Sequence, residues 1–353
     1  MNRPCKHALI TGVSGQDGAL LATHLLRAGV AVSGTHRPGR VPDLWRLVEL
    51  GIADSPRLQM HALDVTDTDA CRRLVGELGA DAIFHLAGRT RVAESFVDPL
   101  ASVAANGWST LNLLEALRSE TPAAHFVLAA SAEIFGAPDR EPQDEATAPA
   151  PRTPYGLSKL LAHAAVASWR ASFGIVASSA ILFNHESELR DPAFVTRKIS
   201  RAVARIALGR GETLILGNLD ARRDFGYAPD YVAALATLGT RTQGEDFVLA
   251  SGQAASIREF AGHAFAAIDI ALDWRGRGID EVAIERNGGR VLVRVDRALL
   301  RPVDAPSLLG DATRARRELG FAATLDVAGL ARRMVLADIA RERRTGPDPS
   351  VAR

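Results

Sequence analysis

The chain has 353 residues, more than a single hydrophobic core usually organises, so two lobes or one large α/β domain with an attached part are expected. A composition of 47% hydrophobic and 24% charged residues excludes disorder as the dominant state, and 42 basic against 41 acidic residues leave a formal charge of +1, which supplies no field for nucleic acid or a membrane surface. Cys5 and Cys71 match no CxxC or zinc spacing, the nine histidines show no metal-binding pattern, the start of the chain lacks the apolar run of a signal peptide, and no apolar stretch is long enough to span a bilayer. The expectation is a cytoplasmic protein in a reducing compartment, with no metal and with neither nucleic acid nor membrane as partner.

In chain order, short β-branched apolar runs at 7–10, 30–35, 58–64, 82–87, 126–130, 175–183 and 247–250 alternate with helix-patterned stretches such as 19–28, 110–119 and 155–173. Such alternation marks βαβ units around a parallel sheet. After Phe183 the rhythm breaks into longer, Arg-rich connections with helix patterns at 194–208, 257–268 and 325–341. The pattern predicts an α/β fold: a Rossmann-like, doubly wound parallel sheet over 1–183 plus 219–253, a smaller C-terminal substrate-binding lobe over 184–218 plus 254–345, and a frayed tail at 346–353. The prolines and acids from Pro138 to Pro154 predict a solvated loop, and the polar end from Arg341 onward predicts fraying.

Thr11-Gly12-Val13-Ser14-Gly15-Gln16-Asp17-Gly18 follows the first strand and opens the first helix. Glycines there let the backbone turn tightly and approach a pyrophosphate, while the helix N-terminus offers N–H donors. The second strand ends in Gly34-Thr35-His36-Arg37-Pro38-Gly39-Arg40, with a cation where an NAD enzyme usually carries a ribose-binding acid, which suits the 2′-phosphate of NADP. The alternative is that Arg37 and Arg40 are solvated loop charges. Asp64-Val65 after the third strand could hold adenine through a carboxylate and a backbone N–H, or Asp64 could cap the following turn.

Tyr155-Gly156-Leu157-Ser158-Lys159 sets a phenol and an ammonium one helical turn apart, in a chain with only three tyrosines and three lysines. A nearby ammonium favours the phenolate, which makes Tyr155 a candidate acid/base for a sugar hydroxyl.

Together with Leu182 to Ser187, Phe194 to Ser200, Leu216 to Asp220, Arg223 to Gly226, Asp230 to Val232, Arg301-Pro302 and Leu309 to Asp311, these motifs resemble the extended short-chain dehydrogenase/reductases, and within them the GDP-mannose 4,6-dehydratases. The resemblance implies a hydro-lyase that binds NADP tightly and dehydrates a GDP-linked sugar to its 4-keto-6-deoxy form. Tyr155 would take the C4 hydroxyl proton, Lys159 would hold the Tyr155 pKa down, Ser131 would bond the C4 oxygen, and Glu133 would remove the C5 proton and help expel water from C6. Ala132 stands where the family has Ser or an acid, which leaves Glu133 as the evident proton donor to the departing hydroxyl. Gly12, Gly15, Gln16, Asp17, Gly18, Arg37, Asp64, Val65, Leu86, Ala87, Tyr155, Lys159, His185 and Arg190 would contact the cofactor, His185 as packed or hydrogen-bonded structure and not as a catalyst. Thr90, Glu133, Asn184, Lys198, Leu216, Gly217, Arg223, Arg301 and Asp304 would contact the nucleotide sugar, two arginines from separate segments clamping its diphosphate.

Arg89 and Arg91 replace the family's Gln and His, so a GDP-heptose (GDP-D-glycero-D-manno-heptose) stands as an alternative to GDP-mannose. The same motifs would also serve a related nucleotide-sugar reductase or epimerase, or a sensor that has kept the fold and lost the chemistry. The resemblance further implies a homodimer or homotetramer, paired through helices at 100–118 and 155–173.

Overall fold

The fold is described from a computed structural model, over residues 3–39, 41–211, 213–300 and 307–345. Up to Leu182 the elements run β1 (His7–Thr11), α1 (Gln16–Arg27), β2 (Ala31–His36), α2 (Trp45–Glu49), β3 (Leu58–Ala62), α3 (Thr68–Leu78), β4 (Ala82–His85), α4 (Val92–Val97), α5 (Pro99–Val103), α6 (Ser109–Glu120), β5 (His125–Ala129), α7 (Pro154–Phe173) and β6 (Val176–Leu182). There follow β7 (Asn184–Glu186), α8 (Val195–Ala207), β8 (Leu214–Leu216), β9 (Arg222–Tyr227), α9 (Ala228–Leu238), β10 (Phe247–Leu249), β11 (Ala254–Ser256), α10 (Ile257–Ala266), β12 (Leu272–Arg275), β13 (Val282–Glu285), β14 (Val291–Val295), α11 (Thr313–Leu319) and α12 (Val327–Thr345). A π-helical turn, Ala104–Trp108, joins α5 to α6.

Two units emerge: Met1–Phe183 with Ala228–Gly252 and Leu308–Ala322, and Asn184–Tyr227 with Gln253–Ser307 and Ala323–Arg353. This division departs from the expected one at two places. Residues 219–227 belong to the second unit because β9 lies between β7 and β11 in one sheet. Residues 308–322 belong to the first because α11 packs on β10 and Gln143 bridges to Gly310.

In the first unit seven strands form one sheet in the order β10-β6-β5-β4-β1-β2-β3, every neighbour parallel. Helices α1 and α9 pack together, as do α3, α6 and α7. This is the Rossmann-like doubly wound architecture. The strand order reverses between β1 and β4, the place where such sheets open a crevice at the strands' carboxyl ends. Helix α7 has clear local causes: the Thr153 hydroxyl accepts from Gly156 N–H at 2.9 Å, Pro154 occupies the first helical position, and Gly174 closes the end at φ +66°.

The stretch from Pro138 to Pro154 is the largely exposed loop its composition predicts, but it is pinned to the fold at two points. Gln143 is fully buried, its N–H bonds Leu309 O at 2.8 Å and its carbonyl accepts from Asp311 N–H at 2.8 Å. Glu145 Oε1 accepts from Val248 N–H at 2.8 Å, so a carboxylate satisfies a donor of the outermost strand, β10.

The second unit holds a three-stranded sheet, β11-β9-β7, and a four-stranded sheet, β12-β13-β14-β8. Its core gathers Ile199, Val203, Phe225, Phe260, Leu330 and Met334. The frayed end expected from Arg341 is helical through Thr345, because Arg341 pairs with Asp338 one turn back. The tail at 346–353 lies outside the described residues.

Candidate active site

The turn from β1 into α1 is shaped for close backbone approach. Gly12 sits at φ +73°, and a Cβ there would come within 2.9 Å of the Ala87 Cα; one on Gly18 would come within 2.4 Å of the Gly12 carbonyl. Gly15 is the N-cap of α1 and has no side chain to close over the first N–H groups, which leaves an anion cradle at the helix N-terminus. This cradle fits the diphosphate of a dinucleotide. The Gln16 amide donates to the Asp17 carboxylate at 2.9 Å.

Behind the turn, the Thr11 hydroxyl accepts from Leu86 and Ala87 N–H at 3.2 and 3.1 Å and meets His85 Nδ1 at 2.8 Å, while His85 Nε2 meets the Ser109 hydroxyl at 3.0 Å. Ser109 spends its own proton on the Ala105 carbonyl. His85 Nε2–H therefore donates to Ser109, and His85 Nδ1 accepts from Thr11, an arrangement only the neutral ring can make. Burial, with Lys159 second, pushes the His85 pKa down to about 3; burial also takes His125 to about 4. Since the unfolded rings take up a proton near pH 6.5 and the native rings refuse it until far lower, the unfolded chain binds more protons throughout that window. Stability is therefore complete above pH 6.5 and falls as pH drops toward 4. Thermal melts between pH 7 and 4.5 should show a steadily falling midpoint, and a flat profile would contradict the neutral assignment.

Arg37 is exposed at the end of β2, close enough to Asp64 to lower that acid's pKa, although the larger causes are the hydroxyl and N–H of Thr66 at 2.7 and 3.0 Å. Asp64 thus ties down the Thr66 turn, and the N-cap of α3 is Asp67. Val65 O accepts from the Asn112 amide at 3.1 Å.

The chemical groups gather where β5 ends. The Ser131 hydroxyl caps a single 3-10 turn, Ala132–Ile134, accepting from Glu133 N–H at 3.3 Å. Gly156 presses against that turn: a Cβ there would lie 2.6 Å from the Glu133 carbonyl, so the start of α7 carries Tyr155 alongside Glu133. Tyr155 N–H donates to the Ser95 hydroxyl at 3.1 Å, and Lys159 Nζ donates to the Ala129 carbonyl at 2.8 Å. Burial lowers the Lys159 pKa to about 8, with Asp17 opposing. Ala132, between Ser131 and Glu133, is only 3% exposed and brings no polar group to the turn. One carboxylate, one phenol and one ammonium thus lie along two adjoining segments, a set suited to moving protons on a polyol.

In the second unit, Asn184 on β7 pairs in register with Phe225 on β9, two residues beyond the buried Arg223, whose Nη1 donates to the Arg222 carbonyl. His185 is buried, opposite Gly226. Arg190 Nε pairs with Glu186 at 3.0 Å, and its guanidinium stacks 3.7 Å from the Phe194 ring centroid. Lys198 on α8 has its pKa lowered by burial and raised by Asp296, whose N–H bonds the Leu216 carbonyl at 2.9 Å. Gly217 lies against the Leu299 carbonyl, 2.6 Å from where its Cβ would be.

Comparison with known proteins decides the family. A sequence model described as GDP-mannose 4,6 dehydratase matches residues 9–334. The chain belongs to the GDP-mannose 4,6-dehydratase family. Similar dehydratases include that of Sinorhizobium fredii, 39% identical over 96% of this chain and 98% of its own, and the human protein, 37% identical over 96% and 92%. A GDP-mannose 4,6-dehydratase of Sordaria araneosa is 40% identical over 95% of this chain, which spans 61% of that longer protein. Among solved structures, the Thermus thermophilus UDP-glucose 4-epimerase complex with NAD shares the fold at TM-score 0.77, 22% identity and 94% and 98% coverage of the two chains. RMD from Pseudomonas aeruginosa, complexed with NADPH, does so at 0.72, 24%, and 95% and 100%.

For this dehydratase-family chain, the first unit brings together Gly12, Gly15, Gly18, Leu86 and Ala87, and, on adjoining segments, Ser131, Glu133, Tyr155 and Lys159. Thr90 follows Arg89, whose backbone is clasped by the Asn106 amide. Arg40, Arg301 and Asp304 lie outside the described residues. Sequence reasoning missed His85, Asn106 and Asp296. His85, a polar residue closing an otherwise apolar strand, was a visible signal; Asn106 and Asp296 gave none, because their partners are distant in sequence. Among the described residues no group of three or more His, Cys, Asp or Glu is placed to hold a metal, and no helix is long and apolar enough to cross a membrane.

Proposed function

We propose that the protein converts GDP-mannose to GDP-4-keto-6-deoxymannose, with NADP as resident cofactor. The single observation that carries this reading is Glu133 held against the start of α7 beside Tyr155 through the close approach at Gly156. Oxidation and epimerisation at C4 need a phenol and an ammonium; loss of water across C5 and C6 needs a base at C5 as well.

Gly12, Gly15, Gly18 and the N-terminus of α1 would hold the dinucleotide diphosphate, with Arg37 at a 2′-phosphate; when bound, the nicotinamide would supply the acceptor and later the donor of one hydride. Tyr155 takes the proton of the C4 hydroxyl. Lys159, held against the Ala129 carbonyl, favours the Tyr155 phenolate by its charge. Glu133 takes the C5 proton, acidic once C4 is a ketone, and returns a proton to the C6 oxygen as water departs. Asn184, Lys198 and Arg223, with Arg301 and Asp304, would hold the sugar and the GDP. Incubation with GDP-sugars, followed by mass, tests the reading: a product lighter by one water, without net consumption of cofactor, is expected. Turnover of a GDP-heptose with GDP-mannose inert would move the assignment to the seven-carbon sugar.

Arg37 and the lack of an acid at the end of β2 support NADP over NAD. Arg37→Ala should weaken NADP about ten-fold or more and leave NAD nearly unchanged, as read by calorimetric titration. Equal affinity of the unaltered protein for both would sink the preference.

Val97, Leu100, Trp108, Leu157, Leu161 and Phe173 are exposed apolar residues on α4, α5, the π turn and α7, which supports a homodimer through this flank. Light scattering at micromolar concentration should give twice the chain mass; a monomer would contradict it. A reducing cytoplasmic setting suits Cys5 and Cys71, both free thiols whose pKa values burial raises to about 11 and 12.

A further inference from the structure

Arg46, the second residue of α2, has no part in the scheme above, yet its side chain turns inward. The residue is 7% exposed, its Nη1 donates to the Ser14 carbonyl at 3.1 Å, and its guanidinium lies 4.6 Å from the Trp45 ring centroid. Ser14 belongs to the glycine turn, which closes on itself through Gly15 N–H to the Gly12 carbonyl at 3.0 Å. The Ser14 carbonyl and the Gly15 N–H share one planar peptide, so a donor that fixes the carbonyl fixes the plane from which α1 departs.

Burying a guanidinium is costly, and an apolar side chain of similar volume would pack α2 against α1 at least as well.

We propose that Arg46 is a positioning residue of the dinucleotide site: through the Ser14 carbonyl it holds the glycine turn in the shape that receives a diphosphate, without touching the phosphates. This rests on the reading of the turn as a dinucleotide site. The diphosphate is common to NAD and NADP, so Arg46 acts on both cofactors alike, unlike Arg37.

The experiment titrates nucleotide-free protein with NADP and with NAD by calorimetry, for the unaltered chain and for Arg46→Met, Arg46→Lys and Arg37→Ala, each checked for native circular dichroism at the titration temperature. Arg46→Met keeps the apolar stem and should raise both dissociation constants by roughly ten-fold, in equal proportion. Arg46→Lys keeps the charge but not the planar group over Trp45, and should weaken both cofactors less than Arg46→Met does and in equal proportion; it carries the test should Arg46→Met not fold, unchanged affinity for both cofactors or weakening of one alone then overturning the proposal. A merely structural role would lower the melting midpoint of Arg46→Met and leave both affinities of the folded protein unchanged, which also overturns it. Weakening of NADP alone would overturn it in favour of a direct 2′-phosphate contact. If the unaltered protein binds neither dinucleotide, the reading of the turn falls and this inference with it; if it binds both and Arg46→Met binds equally well, only the inference falls.

Discussion

Glu133→Gln should abolish water loss while leaving oxidation at C4 possible. The substitution keeps the size and hydrogen-bonding shape of the side chain, and the turn that presents it is fixed by the Ser131 cap and the contact with Gly156, so the fold should be undisturbed. What disappears, on the proposed scheme, is the proton acceptor at C5. Loss of a general acid or base typically costs about 10²- to 10⁴-fold in rate. On the proposed scheme one carboxylate, Glu133, serves both at C5 and at the C6 oxygen, so the upper end is expected. In heavy water the unaltered enzyme should place deuterium at C5 of its product, and the variant should not. Dehydration by Glu133→Gln within a few-fold of the original rate would show that another group takes the proton.

The second large effect lies in the other unit. Arg197 on α8 binds Asp338 on α12 through Nε, at 2.9 Å to each carboxylate oxygen, and through Nη2 at 2.7 Å, while Ser200 donates to the same carboxylate at 2.6 Å and Arg341 approaches at 3.3 Å. Arg197 Nη1 reaches the carbonyls of Glu188 and Arg190 at 2.7 and 2.9 Å, and so fixes the turn that carries Arg190. The two side chains are 4% and 2% exposed. Removing one partner of so buried a pair leaves a charge with neither water nor counter-charge, a loss of about 3–5 kcal/mol. Asp338→Ala should accordingly lower the unfolding midpoint steeply, whereas Glu259→Ala, which breaks the half-exposed pair to Arg222, removes an interaction worth about 1 kcal/mol or less, apart from its capping bond to Ser256. The double variant Arg197→Met with Asp338→Leu should recover most of the loss, since packing can replace a buried pair. Denaturant titration of the three variants measures this, and equal midpoints for Asp338→Ala and the unaltered chain would refute it.

By itself the sequence determined the features whose cause is local. The seven apolar runs became the seven parallel strands because strand periodicity and flanking turns are properties of short windows; the glycine turn and the Tyr155 to Lys159 spacing were legible for the same reason. The hairpin of β13 and β14 was also within reach, since Asn287-Gly288-Gly289 is a turn signal, but the surrounding arginines masked the strands. Tertiary structure alone decided what depends on elements docking across long separations. It set His85 between Thr11 and Ser109, bonded Gln143 to Leu309 and Asp311 and Glu145 to the Val248 N–H of β10, and drew Asp338 to Arg197. It also set Glu133 beside Tyr155, through a glycine whose missing Cβ matters only once α7 lies against the end of β5. In each case a polar group could not be buried without a partner, and the position of that partner is a property of the packed chain, which no window of sequence contains.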